Sequence, residues 1–264
     1  MILRRGRLST NKENIEKFTD KAVGFAKYRP PYATAFFKYL LTKVNDAGNT
    51  VVADIGAGTG LFSKGLLDHG FKVVCIEPNA AMRLEASVYL SEQKGFKIID
   101  GAAEFTNLPA DRFDIVTAAQ AFHLVNREAF LAEAERILKP YGKLALVWHM
   151  QDTDIALFKE IAEINHQFCA KFKGFAEGVD YKNPDEFNEM FMPGEVEYKL
   201  FDNSILLTRE QFMGWIMAAS FVPPVNSCEH KTYYNAISDL FIRHSVAGKI
   251  TVPLKTVSYV GIIR

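Results

Sequence analysis

The chain has 264 residues but only three cysteines, Cys75, Cys169 and Cys228. They are odd in number and far apart, and no Cys-x-x-Cys pair or Cys/His group stands at metal-ligand spacing. That excludes a disulfide framework, points to a reducing cytoplasm and predicts no metal. Net charge is missing as well: 31 Lys and Arg balance 31 Asp and Glu. A dedicated nucleic-acid or membrane-surface binder normally carries a basic excess, so neither partner is expected. No apolar run is long enough to span a bilayer. Arg4, Arg5 and Arg7 are followed by no apolar stretch, so no secretory signal is expected, and Glu13 and Glu16 come too soon for a basic presequence. Internal repeats and low-complexity segments are absent too.

What remains is an ordinary globular composition, 48% hydrophobic and 23% charged, with length for one large domain or one domain plus an insert. Residues 14–28, with Ile15, Phe18, Val23 and Phe25, read as a short amphipathic helix or ordered arm. Pro30 and Pro31 stop it and open a helix over 32–43. Short apolar runs then alternate with helical spacing. Strands are predicted at 51–55, 71–76, 96–99, 113–118 and 143–148, and helices at 61–68, 80–90 and 127–138. This alternation implies βαβ crossovers and a parallel sheet with helices on both faces, an α/β fold. Cys75, inside an apolar strand, reads as core. Later, 155–172, 209–219 and 229–246 read as helices, 173–194 as a loop with short helices, and 195–207 and 250–263 as closing strands. The segments 151–194 and 208–246 are long inserts, expected to form a helical cap over the cofactor-binding core of residues 14–150.

The strongest local signal is Asp54-Ile55-Gly56-Ala57-Gly58-Thr59-Gly60, directly after a predicted strand and opening a helix. Glycines there permit a sharp turn and let a ligand approach the backbone. Glu77 follows the next strand, 17 positions after Gly60, where a carboxylate can accept both ribose hydroxyls of an adenosine ligand. Nicotinamide dinucleotides use the same geometry, but their Gly-x-Gly-x-x-Gly spacing is not met: Leu61 stands where the third glycine belongs. The spacing favours a ligand without a pyrophosphate.

VADIGAGTG (Val52 to Gly60) resembles the first motif of class I S-adenosylmethionine-dependent methyltransferases. CIEPNAAM (Cys75 to Met82) resembles the second, and GAAEFTNLP (Gly101 to Pro109), FDIVTAAQAFH (Phe113 to His123) and LKPYGKLALVW (Leu138 to Trp148) follow in the expected order. Together they resemble the small-molecule branch called type 11, and YRPPY (Tyr28 to Tyr32) and AASFVP (Ala218 to Pro223) resemble features of one of its subgroups. The resemblance implies a Rossmann-like fold with a seven-stranded, mostly parallel sheet. The cofactor it implies is S-adenosyl-L-methionine, with S-adenosylhomocysteine as product. It also implies roles. Asp54, Gly56, Gly58 and Gly60 would face the methionine part of the cofactor. Glu77 and Pro78 would border the ribose, with Met82 against the adenine and Ala103 and Glu104 at its edge. Gln120 would lie near the reacting sulfur, and Tyr28 and Arg29 would close over the cofactor, Arg29 meeting its carboxylate. Met82 also fits plain helix core, Glu104 a helix-start acid and Tyr28–Arg29 a surface cap. The chain departs from the pattern at Ala102, where relatives carry an acid, at Tyr141, which replaces a turn glycine, and at Leu124, where the subgroup carries Trp.

His123, just past the fourth strand, is the best candidate for a general base, with a structural role as its alternative; Trp148 and His149 end the fifth strand at the same rim. Arg29 to Tyr32 superficially resembles the Pro-Pro-aromatic motif of nucleic-acid amino methyltransferases. That motif follows the fourth strand, where this chain has AAQAFH. The apolar inserts, with Trp215, Phe212, Met213, Met217, Phe221 and Phe241, suit a small organic acceptor. The alternatives are a non-catalytic cofactor-binding or regulatory protein on the same fold, a nicotinamide-dependent oxidoreductase and a cyclopropane-forming enzyme. Monomer and homodimer both stay open.

Overall fold

The computed structural model describes Thr19, residues 22–175 and residues 185–263. Ile15 and Phe18 of the predicted arm, and Gly178 and Pro184 of the predicted loop, lie outside the described residues. The chain begins with helices α1 (Ala22–Tyr28) and α2 (Thr34–Leu41). It then alternates through β1 (Val51–Ile55), α3 (Leu61–Asp68), β2 (Lys72–Ile76), α4 (Ala80–Tyr89), β3 (Phe96–Ile99), β4 (Phe113–Ala119), α5 (Arg127–Ile137) and β5 (Leu138–Gln151). The later elements are α6 (Ala156–Phe168), α7 (Asp185–Asn188), β6 (Glu197–Asp202), β7 (Ile205–Thr208), α8 (Arg209–Met217), α9 (Cys228–His244), β8 (Lys249–Val252) and β9 (Leu254–Gly261).

Seven strands form one sheet in the order β3-β2-β1-β4-β5-β9-β6. β1 to β5 run parallel, and β9 lies antiparallel to both of its neighbours. The strands are apolar on both faces, as burial under helices on each side requires. Ala53, Ile55, Val116 and Leu144 face one core with Phe130 and Ile137 of α5. Their chain neighbours Val52, Ile115 and Ala145 face the other, with Phe36, Phe37 and Leu40 of α2 and Phe62 and Leu66 of α3. The strand order reverses between β1 and β4, which opens a crevice at the carboxyl ends of these strands.

A third apolar cluster lies apart from the sheet. It joins Leu157, Phe158 and Ile161 of α6, Phe212 and Met213 of α8, and Tyr233, Ile237 and Leu240 of α9 to Ile250 and Val252 of β8. Here the strands differ from expectation. The single strand expected over 195–207 breaks at Asn203, whose side chain donates to the Pro31 carbonyl at 2.7 Å, and the following β7 leaves the main sheet to pair with β8. The strand expected over 250–263 breaks at Pro253, which has no N–H for a ladder. β5 is longer than expected at both ends: Leu138, expected to end the preceding helix, pairs with Phe113 of β4, and the last residues gain β9 as a partner, up to Gln151 opposite Leu254.

α3 carries Gly65 in mid-helix, where propensity alone favours alanine by about 1 kcal/mol. A Cβ there would lie 2.1 Å from the Phe37 ring, which is buried among Phe36, Phe62 and His69. Overpacking of this kind costs about 1–3 kcal/mol. Gly65→Ala is therefore expected to lower the urea midpoint, and a raised midpoint would show that propensity wins.

Candidate active site

The turn after β1 is fixed by backbone bonds to the end of β2. The Gly56 and Ala57 N–H groups donate to the Ile76 carbonyl at 2.9 and 3.1 Å. Gly56 has φ +70°, and a Cβ on it would sit 2.6 Å from that of Ala121, so only glycine lets the loop after β4 pass so close. Gly58, at φ +56°, aims its N–H at Glu77 Oε2, 2.9 Å away. Gly60 is the N-cap of α3.

Glu77 is buried, and its Oε1 accepts from the Asn79 N–H at 2.8 Å. Burial pushes its carboxyl above the usual range, against the two backbone donors and Arg83. Asn79 in turn caps α4 by accepting from the Met82 N–H at 3.1 Å. Asp54 accepts from Ser63 Oγ at 2.5 Å and Thr117 Oγ1 at 2.7 Å. Burial pushes its carboxyl up to about 6, with both hydroxyls holding it down. Cys75 donates to Ser63 and is pushed up to about 12 by burial, which leaves it an inert core thiol.

Two cavities open at the crevice. One, of about 130 Å³, is lined by Asp54, Gly56, Gly58, Glu77, Pro78 and Met82, and by Ala103, Glu104 and Tyr32. The other, of about 200 Å³, is lined by His123, Trp148, His149, Gln151, Asn165, Trp215 and Phe221. Phe25, Arg29, Gln120 and Leu124 line both. Gln120 follows β4 with φ +57°, a region a non-glycine residue enters at a cost of about 1–3 kcal/mol and that clusters at functional sites. Its N–H is pinned to the Val147 carbonyl at 2.8 Å.

Ten of the predicted cofactor residues thus line the first cavity: Arg29, Asp54, Gly56, Gly58, Glu77, Pro78, Met82, Ala103, Glu104 and Gln120. Gly60 and Tyr28 do not. Tyr28 lies against Gly214 of α8 and donates to Glu210 at 3.0 Å. The aromatic residue of YRPPY that reaches the cavity is Tyr32. Phe25 and Arg29, one helical turn apart, share a face, with the guanidinium 4.9 Å from the Phe25 ring centre. Glu104 also accepts from the Asn126 N–H at 2.9 Å, so it braces the start of α5. The Ala102 backbone makes a two-bond bridge to Phe105, which takes its N–H and one lone pair of its carbonyl. His123 Nδ1 accepts from Trp148 Nε1 at 3.4 Å. Among the described residues, no group of three His, Cys, Asp or Glu side chains could hold a metal.

Residues 53–146 match the family model described as a methyltransferase domain. Residues 53–146 are thus similar to a class I methyltransferase domain of type 11. The match runs from within β1 to within β5 and includes the turn with its glycines and Glu77. An uncharacterised methyltransferase of Mycobacterium bovis is 33% identical over 144 residues, 54% of this chain and 56% of the relative, so the match spans about half of each protein. One from Geobacillus thermodenitrificans is 29% identical over 203 residues, 73% of this chain and 87% of its own length. A solved structure described as a type II methyltransferase, from Anaeromyxobacter dehalogenans, shares the fold with a TM-score of 0.66 at 20% identity, covering 89% of this chain and 98% of that one.

Asp54 gives the site a measurable pH signature. Its folded pKa is raised from 3.8 to about 6, so its stabilising contribution is full below 3.8 and is lost as pH rises through about 6. Asp54→Asn removes that loss. Thermal unfolding should show the variant gaining on the native chain by a few degrees more at about pH 7.5 than at about pH 4.5. An equal difference at both would show that Asp54 is ionised at no cost.

Proposed function

We propose that the protein transfers a methyl group from S-adenosylmethionine to a small organic acceptor, with the cofactor in the first cavity and the acceptor in the second. The observation that carries this reading is the arrangement of Glu77. Each of its oxygens takes one backbone N–H and keeps a lone pair, and the carboxylate lines the first cavity. Two acceptor oxygens held side by side match the two hydroxyls of a ribose. The glycine turn supports the same ligand. The amides at 56, 57, 58 and 60 are bonded to Ile76, Glu77 and Ala57, so the turn keeps few donors for a pyrophosphate.

The remaining groups fit the other parts of the cofactor. Met82 and Ala103 give an apolar slot for the adenine, and Asp54 places negative charge near the amino and sulfonium groups. Arg29 supplies the positive group for the carboxylate. When bound, S-adenosylmethionine supplies a methyl carbon already activated by its sulfonium. The chain's work is to align an acceptor atom with that carbon, which can supply about 7–11 kcal/mol of barrier reduction. Gln120, Leu124 and Arg29, shared by both cavities, stand where that alignment is made. His123 presents a polar group to the acceptor, and Trp215 and Phe221 close the second cavity against water. α6 and α8 line that cavity through Ile161, Asn165, Trp215 and Ile216, so the third apolar cluster acts as the cap.

Glu77→Ala removes charge-assisted bonds of about 1.5–3 kcal/mol each at most. Calorimetry with S-adenosylhomocysteine should show affinity reduced about tenfold to a few hundredfold. Unchanged affinity in a folded variant would remove Glu77 from the ribose site.

A further inference from the structure

Among the described residues, His149 is the one side chain lining the second cavity whose polar atoms are shut away from water with nothing to bond. The residue is 8% exposed, and neither ring nitrogen has a hydrogen-bond partner among the described residues. The Pro30 carbonyl favours the protonated ring, without the geometry of a bond. One face of the imidazole is stacked on Tyr32, with ring centres 4.1 Å apart and planes at 16°. The ring is thus held rigidly while its donor and its acceptor are both unmet, which a folded chain tolerates where a ligand meets them.

The surroundings state the chemistry of that ligand. Among the described residues, Arg29 is the one fixed charge lining the second cavity, and no described carboxylate lines it. A cationic amine would find no counter-charge among the described residues there. The walls are flat and aromatic, with Trp148, Trp215, Phe175 and Phe221. Of the ionisable groups near the ring, Arg29 and Tyr32 come from the segment after α1, and His123 comes from the turn after β4. Burial and the Arg29 charge push His149 down to about 3, so it is an uncharged ring at neutral pH and draws no anion by charge. The two ring nitrogens point apart, so one ligand hydroxyl meets one of them, donating to the bare nitrogen or accepting from the N–H, and needs no charge to do so.

We propose that the second cavity takes a flat, uncharged acceptor bearing a hydroxyl, as a phenol does, and that His149 selects it by hydrogen-bonding that hydroxyl. This deepens the methyl-transfer reading and rests on it. His149 acts here as a positioning and specificity residue, and a base of so low a pKa is not asked to take the proton.

The test uses the full chain saturated with S-adenosylhomocysteine and four probes of similar size: phenol, anisole, benzylamine and benzoate. Phenol should bind more tightly than the other three. His149→Phe, which keeps the stack on Tyr32, should weaken phenol about tenfold and leave anisole and S-adenosylhomocysteine unchanged. In the native chain, the His149 ring signals in nuclear magnetic resonance should stay fixed between about pH 5 and about pH 8 and move on adding phenol. Equal loss of phenol and anisole in the variant, tighter binding of benzylamine or benzoate, or a ring that titrates near the ordinary histidine value would overturn the proposal and leave the cofactor assignment standing. Failure of the native chain to bind S-adenosylhomocysteine would overturn both.

Discussion

A carboxylate shut away from water at the end of a buried strand has to be given donors, and Glu77 takes one from each side. The Gly58 N–H reaches it from the turn after β1, and the Asn79 N–H from the start of α4. That pair of bonds joins two crossovers of the sheet at the point where the crevice opens. The turn can reach Glu77 only because residues 56 and 58 adopt positive φ, and α4 starts where it does because Asn79 caps it. Removing the side chain at 77 would leave the buried Asn79 amide and the half-buried Gly58 amide without their partner, so the turn, the helix start and the cavity wall depend on one group.

The two cavities inherit their separation from the sheet. The first lies at the ends of β1 and β2, and the second at the ends of β4 and β5, where the alternation of strand side chains splits neighbouring residues between opposite faces. Trp148 packs with Phe122, Phe187 and Tyr259, while His149 faces Tyr32. The antiparallel β9 lengthens β5 up to Gln151, which carries the rim of the second cavity outward to the helices of the third cluster. Tyr28 and Lys27 hold α1 to Glu210 of α8. The same short helix that brings Phe25 and Arg29 over the crevice is thus fastened to the element that lines its far side.

Much of this was legible in the sequence, for a physical reason. β1, α3 and β3 fall at 51–55, 61–68 and 96–99 as predicted, because a strand covered on both faces leaves an unbroken apolar run bounded by turn residues. Gly56, Gly58, Glu77, Pro78, Met82 and Gln120 gather at one cavity because the fold fixes strand ends relative to the helices that follow them. The second half was less legible. β7 and β8 alternate no more strongly than β6 and β9, and nothing local tells which sheet each joins; Asn203 and Pro253 mark the breaks only once the partners are known. Tyr28 and Tyr32 look alike in YRPPY, but the i, i+4 pair Phe25 and Arg29 was the available signal that Tyr28 points elsewhere. His149 could be placed at the rim from its position in β5, whereas its lack of a partner depends on what packs around it.

Calorimetric titration of the purified native chain with S-adenosylhomocysteine, with NAD as the control, tests the central claim most directly. The paired backbone donors on Glu77 and the engaged amides of the glycine turn predict saturable binding of S-adenosylhomocysteine and none of NAD. Binding of NAD alone, or of neither in a folded sample stripped of carried-over ligand, would contradict the account.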